Sequence, residues 1–226
     1  METDGLLAEQ KRYYRERAPE YDDWWFRRGR YALEPEAEQR WFADCAEVEA
    51  ALETFRPEGR VLELACGTGL WTRHLVRHAA HVTAVDASAE VIELNRARVG
   101  DARVEYVQAD VFEWRPETAY DACVFGFWLS HVPEQRFDAF WRFVRSALVP
   151  AGRVFLVDSA RGDRSHTTEL PEGEELRRLA DGREFRIVKR YLDPRALERR
   201  VAALGFELEA CRTAHGSLLY ARGNAA

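Results

Sequence analysis

Residues 61–69 read Val-Leu-Glu-Leu-Ala-Cys-Gly-Thr-Gly. The apolar run Val61–Leu64 suits a buried strand, and it ends in a glycine-rich turn with a helical pattern over 70–79 directly behind it. Gly67 and Gly69 allow a tight turn and a close ligand approach that a Cβ would block. Glu63 places a carboxyl inside the same segment, and Asp86 closes the next apolar stretch, Val82-Thr83-Ala84-Val85. A carboxylate at the end of that second strand can accept hydrogen bonds from both hydroxyls of a ribose. The arrangement points to a nucleoside-containing cofactor.

Outward from this segment the hydrophobic period alternates. Strands are expected at 61–65, 81–86, 103–109, 120–126 and 153–158, with helices at 70–79, 88–99 and 133–148. Ser88 is placed to cap the second helix and Pro133 to occupy the first turn of the third. Such alternation predicts an α/β fold, a mostly parallel sheet with helices on both faces. Residues 161–175 are polar and broken by Gly162, Pro171 and Gly173, and read as a loop. An additional strand is expected over 184–192, then a helix from Pro194 capped by Asp193, and two strands at 206–213 and 217–221.

Composition narrows the partners. The 226-residue chain carries a net charge of −6 with 46% hydrophobic and 12% aromatic residues. The acidic balance disfavours nucleic acid or an anionic membrane as the main partner. Cys45, Cys66, Cys123 and Cys211 show neither disulfide-framework nor metal-ligand spacing, so no metal is expected and a reducing, cytoplasmic setting is. Length favours one embellished domain over 1–226, either a monomer or a homodimer. Its parts are an N-terminal helical lid at 1–50, a cofactor-binding core at 55–160, and an acceptor-side loop with C-terminal strands at 161–226.

The run Gly67-Thr-Gly69-Leu-Trp-Thr72 lacks the third glycine of a dinucleotide fingerprint. The ordered set Glu63-x-Ala65-x-Gly67-x-Gly69, then Asp86, then Ala109-Asp110, resembles the class I S-adenosylmethionine-dependent methyltransferases, closely over about residues 55–160. The resemblance implies a Rossmann-like, seven-stranded sheet whose last strand is antiparallel. It implies S-adenosyl-L-methionine as cofactor, with Glu63, Ala65, Gly67 and Gly69 walling its methionine part and ribose. Asp86 would bind the ribose hydroxyls, Ala87 would lie against adenine, and Asp110 with Val111 would read the adenine edge. Phe125 and Phe127 would close the pocket.

At the start of the chain, Tyr13-Tyr14-x-x-x-Ala18-Pro19-x-Tyr21-Asp22 resembles the lid of bacterial small-molecule methyltransferases. By that likeness Tyr14 and Tyr21 would close over the cofactor. Trp24, Trp25 and Phe26 are consecutive, so one helix face cannot bury all of them and at least one should line a cavity. His131, after the fourth strand, is the candidate general base for an oxygen nucleophile, with His166 a weaker second. Asp158 and Ser159 end the fifth strand on the acceptor side. The segment Phe125-Gly126-Phe127-Trp128 differs from the Asn/Asp-Pro-Pro-Tyr/Phe of adenine- and cytosine-amino methyltransferases. The tryptophans around the mouth would accommodate a small aromatic or apolar acceptor, methylated on oxygen or nitrogen. Two alternatives stand beside this: a methyltransferase-like protein that binds the cofactor without catalysis, and an NAD(P)-dependent oxidoreductase.

Overall fold

The computed structural model describes residues 2–160, 167–170 and 173–226, the side chains of residue 2 and of residues 167–170 excepted. Its centre is β1 (Arg60–Leu64), paired in parallel with β2 (His81–Asp86) on one side and β4 (Tyr120–Gly126) on the other. β3 (Val104–Gln108) extends the sheet beyond β2, and β5 (Leu148–Ser159) extends it beyond β4. The chain's final strand, β10 (Leu218–Ala225), runs antiparallel between β5 and β9 (Phe206–Arg212). The result is a seven-stranded sheet of order β3-β2-β1-β4-β5-β10-β9, the Rossmann-like arrangement that the resemblance implied. Strand order reverses between β1 and β4, so a crevice opens at their carboxyl ends.

The two-residue period of a strand assigns each side chain to a face. Val61, Ala122, Val124, Phe155 and Val157 join one buried cluster with Trp41, Val48 and Leu52 of α3 (Pro35–Phe55) and Ile92 of α5 (Ala89–Val99). Their neighbours Leu62, Leu64, Cys123, Phe125, Val154 and Leu156 join the opposite cluster. There they meet Phe137, Phe140 and Trp141 of α6 (Phe137–Ala147) and Leu197 and Val201 of α7 (Pro194–Ala202). Ser88 and Asp193 cap α5 and α7 as expected, accepting from the Val91 and Ala196 amides.

Several elements differ from expectation, among them the strand expected over 184–192, which ends at Val188. The helix over 70–79 shrinks to α4 (Thr72–Leu75), because the Arg77 and His78 amides bond to His74 and Leu75 in tighter i→i−3 fashion. The helix over 133–148 begins as a 3₁₀ turn at Glu134–Arg136 and stops at Ala147, since Leu148 already pairs with Tyr120 in β5. The polar stretch taken as a loop contains β6 (Thr167–Leu170) and enters β7 (Glu174–Arg178). With β8 (Glu184–Val188) these form a second, three-stranded antiparallel sheet. His166 lies outside the described residues.

That small sheet receives the N-terminal helix α1 (Glu2–Arg17). Tyr13 packs with Leu179, Phe185 and Ile187, while Glu9 and Gln10 accept from the Arg186 and Val188 amides. The next segment, α2 (Tyr21–Trp25), buries Trp25 against Trp41 and Trp71. Arg98 and Thr68 tie Asp22 down to the glycine-rich turn.

The turn itself is held from behind. Ala65, Gly67 and Gly69 all have positive φ, and the Cys66 amide bonds to the Val85 carbonyl. The Asn95 amide group donates to the Gly67 carbonyl at 3.2 Å and to Thr72 Oγ1 at 2.8 Å. Thr72 donates to Glu63 Oε2 at 2.6 Å, and Tyr106 donates to Asn95 Oδ1 at 2.9 Å. Burial pushes the Glu63 carboxyl up to about 8; the Thr72 bond opposes this and the nearby Asp86 charge adds to it.

Two outcomes follow from this network. At Gly69 (φ +85°), a Cβ would stand 2.6 Å from Asn95 Oδ1. Gly69→Ala should therefore lower stability by roughly 1–3 kcal/mol, read from urea midpoints, and an unchanged midpoint would contradict the packing. A carboxyl whose folded value lies above its unfolded one holds its proton more tightly when folded. Stability is then lost as pH rises from about 4.5 to about 8. Glu63→Gln should gain on the wild type across that window, whereas parallel pH profiles would exclude a neutral Glu63.

Candidate active site

At the carboxyl ends of β1, β2 and β4, beneath α1, lies a cavity of about 820 Å³. Ala65, Gly67, Asp86, Ala87, Asp110, Val111 and Phe127 line it, and Tyr14, Tyr21 and His131 meet them from the lid side and the segment after β4. Three residues expected at the site do not line it. Glu63 points from β1 into the network behind the turn, Gly69 backs onto Asn95, and Phe125 faces the α6 core against Phe140 and Trp141. Gly126 lines the cavity beside Phe127. Alternation along β4 turns Phe125 away from the crevice.

Asp86 is clamped by backbone. Oδ2 accepts from the Gly67 amide at 3.0 Å and Oδ1 from the Ser88 amide at 3.0 Å. Burial raises its pKa, and those amide bonds oppose the rise. Asp110 makes a similar turn, Oδ1 accepting from the Phe112 amide at 2.9 Å, while Oδ2 meets the Lys11 ammonium of α1 at 2.7 Å. Each aspartate is thus fixed at its strand's end (Asp86) or just beyond it (Asp110), and both line the cavity. Ala65 and Phe127, both lining residues, hold positive φ without being glycine. Backbone conformations that cost energy in this way collect at ligand sites.

At the other end Tyr14 and His131 form a pair. His131 Nε2 lies 2.7 Å from the Tyr14 hydroxyl, and Nδ1 lies 2.6 Å from the Val188 carbonyl. A carbonyl can only accept, so Nδ1 carries the proton and Nε2 accepts from Tyr14. Burial drives the His131 pKa well below its usual value, and the Lys189 charge adds to this. The imidazole is neutral, and both its nitrogens are engaged.

Tyr14, Tyr21, Phe127 and His131 also line a second cavity of about 340 Å³, which therefore adjoins the first. Trp24 lines it, as the consecutive aromatics required, while Trp25 is buried. Lys189 reaches this wall, donating to Ser130 Oγ at 2.8 Å, Asp158 Oδ1 at 3.2 Å and Ser159 Oγ at 2.5 Å. Ser159 faces the cavity, whereas Asp158 is buried behind it, also accepting from the Ser130 amide at 2.8 Å. Lys11, Gln10, Arg17, Arg177 and Lys189 escaped the sequence reading. Each comes from a segment without a motif, and only the packing of α1 and the small sheet over β4 and β5 assembles them.

Among the described residues no helix is long and apolar enough to cross a membrane, and no group of three or more His, Cys, Asp or Glu is placed to hold a metal ion.

Comparison with known proteins adds identity to this geometry. The methyltransferase domain family matches residues 36–210. A ubiquinone biosynthesis O-methyltransferase of Xanthomonas axonopodis pv. citri is 30% identical over 72% of this chain and 67% of its own length. A demethylmenaquinone methyltransferase of Clavibacter sepedonicus is 36% identical over 44% of this chain and 40% of its own length. The chain spans about half the length of several further curated relatives. Among solved structures, the DhpI–SAH complex is 40% identical, covers 99% of this chain and 98% of that one, and superposes with a TM-score of 0.76. The DhpI–SAM–HEP complex is 41% identical over 96% and 97%, with a TM-score of 0.77. The chain belongs to the methyltransferase domain family, the S-adenosylmethionine-dependent methyltransferases to which its glycine-rich turn pointed.

Proposed function

We propose that this protein transfers a methyl group from S-adenosyl-L-methionine to a small-molecule acceptor. The observation that carries this is the pair of adjoining cavities, with two clamped aspartates lining the larger and Tyr14, Tyr21, Phe127 and His131 lining both. The donor set fits a nucleoside. Asp86 offers lone pairs to two ribose hydroxyls, Asp110 and Val111 offer an acceptor and a backbone group to the adenine edge, and Ala87 leaves room for the flat ring. Gly67 and Ala65 present backbone beside the remainder. When bound, S-adenosyl-L-methionine supplies a methyl group activated by a sulfonium, which leaves as a neutral thioether when the acceptor's lone pair takes the methyl carbon.

The work left to the chain is alignment and exclusion of water. Aromatic rings at the junction suit a cationic sulfur, whose charge disperses during transfer. Tyr14 and Tyr21 close this region from α1 and α2, and Lys11 holds α1 across Asp110. His131 fixes the Tyr14 hydroxyl with its Nε2. Its role as a base toward an acceptor proton runs through that hydroxyl: Tyr14 oxygen takes the proton and passes its own to Nε2. The lid at 1–50, the core at 55–160 and the acceptor side at 161–226 work as parts of one unit. A small acceptor agrees with the names of two curated relatives, a demethylmenaquinone methyltransferase and a ubiquinone biosynthesis O-methyltransferase.

Calorimetry with S-adenosylhomocysteine, using NAD as control, tests the reading. Micromolar binding of the former alone is expected, and a preference for NAD would overturn it. Asp86→Ala should weaken that binding by roughly 1–3 kcal/mol, since charged hydrogen bonds to the ribose are lost; unchanged affinity would remove the ribose assignment. For His131, ring nitrogen resonances should report a neutral imidazole protonated on Nδ1 between about pH 6 and 8. A midpoint near the ordinary histidine value of about 6.5 would contradict the buried, doubly bonded ring.

A further inference from the structure

The second cavity carries a charge that the sequence reading did not anticipate. Arg17, Arg27, Arg40, Arg177 and Lys189 line it, and among the described residues no carboxylate does. This is the reverse of the chain's overall net charge of −6. The charge on Lys189 is answered from behind by Asp158, and that on Arg177 by Glu175, 2.6 Å away. Arg17 differs. The residue is only 5% exposed, and among the described residues no carboxylate pairs with its guanidinium, whose polar surroundings are tyrosines. One NH2 group donates to the Tyr31 hydroxyl at 3.3 Å, and the rings of Tyr13, Tyr21 and Tyr31 flank the cation. Its Nε and that of Arg177 are buried without a hydrogen-bond partner.

A buried cation without a counterion costs stability, as does each unmet buried donor. Tyrosine rings relieve part of the charge but cannot accept the unused N–H bonds in the way an oxygen does. An oxyanion can answer both, because the guanidinium fork matches the geometry of carboxylate and phosphoryl oxygens. The cations also converge where transfer occurs, since the fields of Lys189, Arg177 and Arg17 all act on His131 at the junction. Trp24, Trp41 and Phe127 supply apolar walls for the rest of such a molecule.

We propose that the acceptor is a small acid whose carboxylate or phosphoryl oxyanion is held in the second cavity by Arg17 and Arg177, in the field of Lys189. This replaces the merely aromatic or apolar acceptor expected from sequence, and it rests on the methyltransferase reading above. An aromatic acid retains the apolar part of that expectation and adds the charge that the cavity requires.

The test titrates the full-length protein, saturated with S-adenosylhomocysteine, with benzoate, phenylphosphonate and neutral benzamide. The acids should bind at least about tenfold more tightly than benzamide, as a charged hydrogen bond in a dry pocket gives. The rank of benzoate against phenylphosphonate distinguishes a planar from a tetrahedral oxyanion. Arg17→Met and Arg177→Met should each weaken the acids about tenfold or more while S-adenosylhomocysteine affinity stays within about twofold; Arg17→Lys should recover part of the loss. Equal binding of benzamide and the acids, no binding of either acid at millimolar concentration, or acid affinity unchanged in Arg17→Met and Arg177→Met would overturn the proposal. Should a variant lose S-adenosylhomocysteine through misfolding, the wild-type comparison of acid with amide still decides. Failure of the wild type to bind S-adenosylhomocysteine at all would instead remove the methyltransferase reading.

Discussion

Everything at this site hangs on the bond between the Gly67 amide and the Asp86 carboxylate. It joins the turn after β1 to the end of β2, two strands already paired in parallel from Arg60↔His81 to Leu64↔Val85. With that bond in place, the loop that would cradle a nucleoside and the carboxylate that would bind its ribose form one rigid piece. The buried chain Tyr106–Asn95–Thr72–Glu63 supports the same turn from the opposite side. A hydrogen-bonded network in a low-dielectric interior is stiff, because each unmet member would carry the full cost of desolvation. Glu63 fits this supporting role: it fills a polar position inside the sheet and leaves the cavity wall to backbone.

The second organising element is the strap formed by α1 and the three-stranded sheet. Gln10 spans both of its neighbours, accepting from the Val188 amide and donating to the His131 carbonyl at 3.3 Å. The Val188 carbonyl in turn accepts a hydrogen bond from His131 Nδ1–H, so helix, small sheet and junction are bonded in a ring of three segments distant in sequence. Lys11 to Asp110 ties the strap to the core, and Arg98 to Asp22 does the same for the following helix α2. The strap therefore covers the larger cavity and also builds the smaller one, to which it contributes Tyr14, Arg17, Arg177 and Lys189. A cavity assembled by the most peripheral elements of the fold can change its chemistry while the larger cavity beside it stays constant.

Local patterns carried the parts of the protein whose physics is local. Buried parallel strands need apolar runs, helices need caps, and left-handed turns need glycine, so β1, β2, β4, α5 and α7 were legible with Ser88 and Asp193 at their starts. Asp86, Asp110, Tyr14, Tyr21 and His131 were legible as a set because strand ends and turns fix them close in sequence to recognisable motifs. Other features were hidden for a stated reason. Strands such as β7, Glu-Glu-Leu-Arg-Arg, are too polar to announce themselves, and β7 forms by pairing with β8, against which α1 packs Tyr13. Whether Phe125 or Phe127 meets a ligand depends on the pleat of β4 and the left-handed φ at Phe127, which hydrophobicity does not report.

Sequence alone determined that this chain forms a doubly covered, mostly parallel sheet with a nucleoside-type turn at its centre, since those features follow from hydrophobic period, glycine placement and short-range hydrogen bonding. Tertiary structure decided the charge of the second cavity. Arg17, Arg177 and Lys189 lie far apart in a chain of acidic balance, and their charges are solvated and unremarkable until folding removes water and brings them to one wall. Charge becomes specific only when burial lowers the dielectric around it and geometry aligns its donors, and both are properties of the packed chain.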